Sequence, residues 1–309
     1  MALLFATVMT NFNRIITHMI DLYSLLISPF VEFAFMRHAL VASMALAMGC
    51  APIGIFLILR RMSLMGDAMS HAILPGVSIA FLTHGLSLWA MSLGGLIAGL
   101  IVALLSGVVS RMTQLKEDTS LAAFYLMSLA AGVLLISMTG NNVDLMHILF
   151  GSVLAVDSSS LLLVAAISSL TLVLLALFYR PLVLESFDSE FMTVSLGHGA
   201  WIQGGFLVLV VLNLVAGFQA MGTLMSVGLM MIPAATARLW TDDIAGMFIA
   251  SWLTALLATL TGLICSYHFD TPSGPTIILL AGSLYLMSIL FGKRGGILWQ
   301  WARPRHLER

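Results

Sequence analysis

Long runs without charge dominate this chain and limit what it can become. Nine stretches, roughly 39–59, 65–82, 88–109, 119–138, 160–179, 200–218, 222–239, 245–265 and 273–291, are apolar and carry almost no Asp, Glu, Lys or Arg. Runs of about 17–25 such residues match the hydrocarbon thickness of a bilayer when wound as a helix. A helix also bonds its own backbone groups, so none is left facing lipid. The pattern predicts an all-α, polytopic transmembrane helical bundle of about eight or nine spans. Composition agrees: 60% of the 309 residues are hydrophobic and 9% charged, with a mean hydropathy of +1.06, where a soluble domain carries about 25% charged residues. A net charge of -1 gives no electrostatic case for nucleic acid.

The second run is irregular, because it holds Asp67, His71 and the Pro75-Gly76 pair, and the sixth and seventh nearly adjoin. The stretch 15–36 contains Asp21, Pro29 and Glu32 and reads as an interfacial or re-entrant helix. The chain therefore divides into an N-terminal segment (1–36), one membrane domain (37–292) and a basic tail (293–309). The apolar start, Ala2 to Met9, lacks the basic flank and cleavage site of a signal peptide. Cys50 and Cys265 lie in or at the end of apolar runs without CxxC spacing and read as small buried hydrophobes. Gly95 and Gly99 permit a close helix approach.

Charge sets the orientation. With alternate loops assigned to the cytoplasm, starting after the first span, 11 of the 13 Lys and Arg residues fall inside, and only Arg14 and Arg37 fall outside. By the positive-inside rule the C-terminus and the loop 180–199 are cytoplasmic, and 139–159 is external.

The residues that carry chemistry are few. Asp67 and His71 are four apart, which stacks them on one helix face. A carboxylate and an imidazole there form a half-site for a divalent cation. Ionisable groups inside a membrane are costly unless paired or wet, which favours a functional reading. The alternative is that they pair with each other, or with Arg60 or Arg61, and fix a helix end. Secondary candidates are Asp144 and His147 in the external loop, and His268 and Asp270 near the outer end of the eighth span. Both pairs read first as ordinary loop and helix-terminus residues. The 21 Met residues are scattered among Leu and Ile with no MxxxM array, so packing outweighs a copper path. In the cytoplasmic loop, a short helix starting at Ser186 or Asp188 and stopped by Gly197 is a candidate docking element. No GxxxxGK[ST] motif appears, so the chain is expected not to be an ATPase or another enzyme, and no permanently bound cofactor is expected.

Four segments together resemble the metal-cation permease family of ABC importers, which takes up zinc, manganese and sometimes iron. They are Leu59-Arg60-Arg61 through Asp67 and His71 to Pro75-Gly76; Arg180-Pro181-Leu182 leading to Phe187-Asp188-Ser189-Glu190-Phe191; Gly222-Thr223-Leu224-Met225 leading to Ile232-Pro233-Ala234-Ala235-Thr236-Ala237-Arg238; and Asp270-Thr271-Pro272-Ser273-Gly274-Pro275. They occur in the family's order and span nearly all of the chain beyond residue 35. The resemblance implies a type II ABC importer-like permease in the bacterial inner membrane. It implies a homodimer working with two ATPase subunits and an extracytoplasmic metal-binding protein. It also implies that Asp67 and His71 contact the transported Zn2+ or Mn2+, zinc being slightly preferred, and that Phe187, Asp188, Glu190, Phe191 and Gly197 belong to the ATPase-coupling loop. The N-terminal 35 residues are longer than the family needs, and Ser189 stands where Pro is common. Rival readings are a proton-coupled secondary metal transporter, a permease for a metal chelate or siderophore, and an intramembrane metalloenzyme lacking a third strong ligand.

Overall fold

The computed structural model describes residues 26–85, 87–114, 117–138, 153, 156–187 and 199–302. All regular structure among them is helical. A short helix α1 (Ser28–Glu32) precedes α2 (Ala34–Leu59), α3 (Met65–Ala72), α4 (Leu74–His84), α5 (Leu88–Met112), α6 (Glu117–Met138) and α7 (Ser158–Leu177). After these come α8 (Tyr179–Phe187), α9 (Gly199–Met221), α10 (Thr223–Arg238), α11 (Ile244–Phe269), α12 (Ser273–Phe291) and α13 (Ile297–Ala302). Each of the nine apolar runs is helical. Among the described residues eight helices are long and apolar enough to cross a membrane, α3 and α4 together making one of them, Met65–His84. The ninth run, α10, has 16 residues.

The bundle has an inner and an outer set of helices. α2 and α9 are mostly buried, and α10 packs between α2, α11 and α12. The outer helices α5, α6, α7 and α12 turn Leu93, Ile97, Ile101, Leu126, Leu134, Leu162, Val173, Leu279 and Leu286 outward. Large exposed aliphatic side chains in such number suit a lipid surround.

Two local devices shape the interior. Gly222, with φ 92°, turns the chain directly from α9 into α10, a conformation that a residue with a Cβ resists. Pro75 lacks the N–H that would bond to the His71 carbonyl, so the ladder breaks between α3 and α4. The neighbouring Ala72 carbonyl is instead satisfied by Ser128 Oγ of α6 at 2.9 Å.

One end of the bundle gathers the basic residues. Arg60 Nε donates to Ser186 Oγ (3.1 Å), the backbone N–H of Arg294 to the Leu239 carbonyl (3.0 Å), and Arg294 pairs with Asp242 (3.2 Å). Ile55, Ala237 and Met247 form one buried cluster there. The chain ends of α2, α8, α10 and α12 are thereby brought together. At the opposite end Phe33, just before α2, packs against Tyr267 near the end of α11, with ring centroids 5.6 Å apart and the rings tilted at 46°.

Candidate functional site

Asp67 sits in the first turn of α3 and His71 in the last. His71 Nε2 lies 3.8 Å from Asp67 Oδ1, and the side chains are 26% and 64% exposed respectively. The Asp67 carboxylate is thus open to a cavity that this chain alone does not close. His71 Nδ1 is buried with no hydrogen-bond partner among the described residues. Tyr125 of α6 stacks along the imidazole, with ring centroids 6.4 Å apart and an interplanar angle of 27°.

The cavity in front of the pair has a volume of about 380 Å³. α3 supplies Asp67, Ser70 and His71, and α10 supplies a facing wall that includes Thr223, Gly228 and Met231. A broken helix places the only acid–imidazole pair of α3 against the short inner helix. Discontinuous helices at mid-membrane are where transporters build their sites. Chemically the cavity offers a carboxylate oxygen, an imidazole nitrogen, hydroxyls and a thioether. Those donors suit a borderline dication better than an organic ligand.

The other sequence candidates do not join this pair. Among the described residues no three His, Cys, Asp or Glu side chains converge. Asp270 caps α11 in the left-handed conformation (φ 49°, ψ 38°), its N–H bonding the Ser266 carbonyl, and His268 packs edge-on against Tyr267. Asp144 and His147 lie outside the described residues, as do Asp188, Glu190, Phe191 and Gly197. Phe187 ends α8 and is 71% exposed. Ser186, one of the two helix starts read from the sequence, lies instead in the last turn of α8 and bonds back to the Leu182 carbonyl at 2.7 Å; the other, Asp188, lies outside the described residues. α8 itself carries Pro181 in its first turn, where a missing N–H costs nothing. Both cysteines are free, Cys50 buried and Cys265 half-buried.

Sequence reasoning missed Tyr125, Thr223 and Met231. The segments beginning at Gly222 and Ile232 carry the resemblance, but their one charge, Arg238, ends the second of them and does not line the cavity, so only the fold brings Thr223 to Asp67.

A bundle of apolar helices, with one acid–imidazole pair in a cavity between a broken helix and a short inner one, defines a membrane permease. Residues 32–292 match the ABC 3 transport family, and the chain belongs to it. The manganese transport system membrane protein MntC of Halalkalibacterium halodurans is 35% identical over 279 residues, covering 90% of this chain and 94% of that protein. A probable iron transport system membrane protein of Haemophilus influenzae is 30% identical, covering 88% and 98%. Among solved structures, PsaBC from Streptococcus pneumoniae in complex with Fab superposes with a TM-score of 0.78 at 30% identity, covering 90% of this chain and 100% of that one.

Proposed function

We propose that this chain is the membrane-spanning subunit of an ATP-driven importer for a divalent metal ion, with Asp67 and His71 as ligands in the path. The observation that carries this reading is the 3.8 Å separation of Asp67 Oδ1 and His71 Nε2 on the wall of a cavity in the bundle. A dication bonded to both atoms at about 2.1 Å bridges such a gap. The half-exposed pair supplies only part of a coordination shell. Water, or a second copy of the chain facing the first, completes it.

The relatives named for manganese move the preference from zinc to manganese(II), with iron(II) and zinc as competitors. Carboxylate and imidazole bind all three, so the ordering rests on those names and not on the donor set. The chain works as a homodimer with two ATPase subunits at its basic end, which by the positive-inside rule faces the cytoplasm. The loop after Phe187 is their docking element. A metal-binding protein delivers the ion to the opposite face.

The test is uptake into proteoliposomes holding the chain, its ATPase and its binding protein, with manganese, zinc and iron(II) in competition. ATP-dependent manganese uptake, suppressed least by zinc, is expected. Uptake without ATP points to the secondary transporter, and uptake only of a chelate to the chelate permease. Either result overturns the proposal.

A further inference from the structure

Arg60 ends α2 and reaches sideways to two other helices. Its Nε donates to Ser186 Oγ at 3.1 Å, and its guanidinium carbon lies 4.5 Å from the centroid of the Phe206 ring. Ser186 belongs to the last turn of α8, and Phe206 to the second turn of α9. The chain between those turns is the loop assigned above to the ATPase. One side chain therefore grips both stems of that loop.

The grip is built on a firm base. Phe206 meets Phe56, one turn before Arg60, edge to face at 6.0 Å, and Phe56 meets Phe248 of α11 at 6.0 Å. Phe56 and Phe206 are buried, so the cation rests on an aromatic platform shared by α2, α9 and α11. A guanidinium over a ring is attracted by its quadrupole, more strongly where water is excluded.

On its other side Arg60 leads straight into the site. Only residues 61–64 separate it from α3, and that link is hydrogen-bonded to the helix on either side. The Arg61 N–H bonds the Ile58 carbonyl (3.0 Å), Met62 the Leu57 carbonyl (2.9 Å), Met65 the Met62 carbonyl (3.1 Å) and Ala68 the Leu64 carbonyl (3.0 Å). A link so tied does not absorb a displacement as a slack loop would. Movement of the α8 and α9 stems is passed through the guanidinium to the end of α2, and through this turn to Asp67.

We propose that Arg60 is the positioning residue that connects the ATPase-docking loop to the helix carrying Asp67 and His71. The inference rests on the importer reading given above, and it adds the part that joins its two ends. Lysine at this position keeps the charge but loses the planar fork that bonds Ser186 while lying on Phe206.

The experiment uses the complete reconstituted transporter. Leu64, 73% exposed at the start of α3, is replaced by Cys as a reporter, and the chain without this change gives the background from Cys50 and Cys265. Its labelling by a maleimide is timed with and without ATP and vanadate, in the Arg60 protein and in Arg60→Lys. Metal moved per ATP hydrolysed is measured alongside. With Arg60, trapping the nucleotide changes the labelling rate roughly threefold or more; in Arg60→Lys that response is lost, and metal per ATP falls by a similar factor. Phe206→Leu falls in the same direction and adds little to Arg60→Lys. A nucleotide response retained in Arg60→Lys overturns the proposal, as does a loss explained by failure to assemble with the ATPase. If the Arg60 protein answers nucleotide at Leu64→Cys and Arg60→Lys does not, yet no metal is moved, the linkage stands and the substrate reading falls. No nucleotide response in either protein overturns both.

Discussion

His71 Nε2 stands 3.8 Å from Asp67 Oδ1, too far for a hydrogen bond, while its Nδ1 is buried without a partner among the described residues. Neither nitrogen is held as it would be in a helix-fixing pair, and the gap is one that a dication bonded to both atoms, as proposed above, would bridge. Asp67→Ala and His71→Ala are each expected to lower metal uptake at least about tenfold, as losses of metal-site groups do. Asp67→Asn, which keeps an oxygen but not the charge, should fall between them and the parent. Assembly with the ATPase, followed by co-purification, should persist. Wild-type uptake by either alanine variant removes that residue from the path.

α4 and α5 cross where glycine faces glycine. A Cβ on Gly76 would run into the backbone of Gly94, and one on Gly94 into the backbone of Gly76. Since backbone cannot step aside as a side chain does, Gly76→Val forces the helices apart at a cost of about 1–3 kcal/mol. The detergent-solubilised protein should show a clearly lower apparent Tm and a broadened size-exclusion profile. Gly107 lies on the same α5 with open space around it, and Gly107→Ala should leave both unchanged. Equal behaviour of the two variants would disprove the close-crossing account.

Much of this fold was legible because the bilayer imposes a coarse rule: an apolar run of sufficient length becomes a helix. The irregularity expected at Pro75-Gly76 is the break between α3 and α4, and the Asp67–His71 spacing did put both on one face. The Gly95/Gly99 spacing marked α5 as tightly packed, and Gly95 meets Ile73 and Gly99 meets Val211, but the closest crossing is at Gly94. What could not be read depends on distant segments meeting. Tyr125 and Met231 look like ordinary apolar residues until α6 and α10 are set against α3. Arg60 gives no hint of Ser186, 126 residues away.

Asn213 is wholly buried in α9 and donates to Thr171 Oγ1 of α7 at 2.7 Å and to the Leu209 carbonyl at 2.9 Å. Removing one member takes a single bond from the other, which keeps its bond within its own helix, Asn213 to the Leu209 carbonyl and Thr171 to the Ile167 carbonyl (2.8 Å). Thr171→Val is expected to cost about 0.5–1.5 kcal/mol, whereas Thr171→Val with Asn213→Leu should cost less than the sum of the two single changes. Thermal unfolding of the four proteins in one detergent measures this coupling. Strict additivity would show that the bond between α7 and α9 contributes nothing beyond its separate groups.

Asp157 caps α7 by accepting the Ser160 N–H at 2.9 Å, and it also accepts from the Ser159 hydroxyl. Chiefly through the Ser159 hydrogen bond, and next through those from Ser160, its carboxyl is lowered from 3.8 to about 2. The folded value lies below the unfolded one, so the ionised cap contributes its full stability above about 3.8 and loses it as pH falls through about 2. Asp157→Asn keeps an acceptor for the helix N-terminus but not the charge that favours it. The parent should therefore exceed Asp157→Asn in apparent Tm at neutral pH, by a small margin because the group is exposed to solvent. That margin should narrow between pH 3.8 and about 2 and vanish below it. A margin that stays constant over the whole acid range would mean that the charge on Asp157 does not stabilise α7.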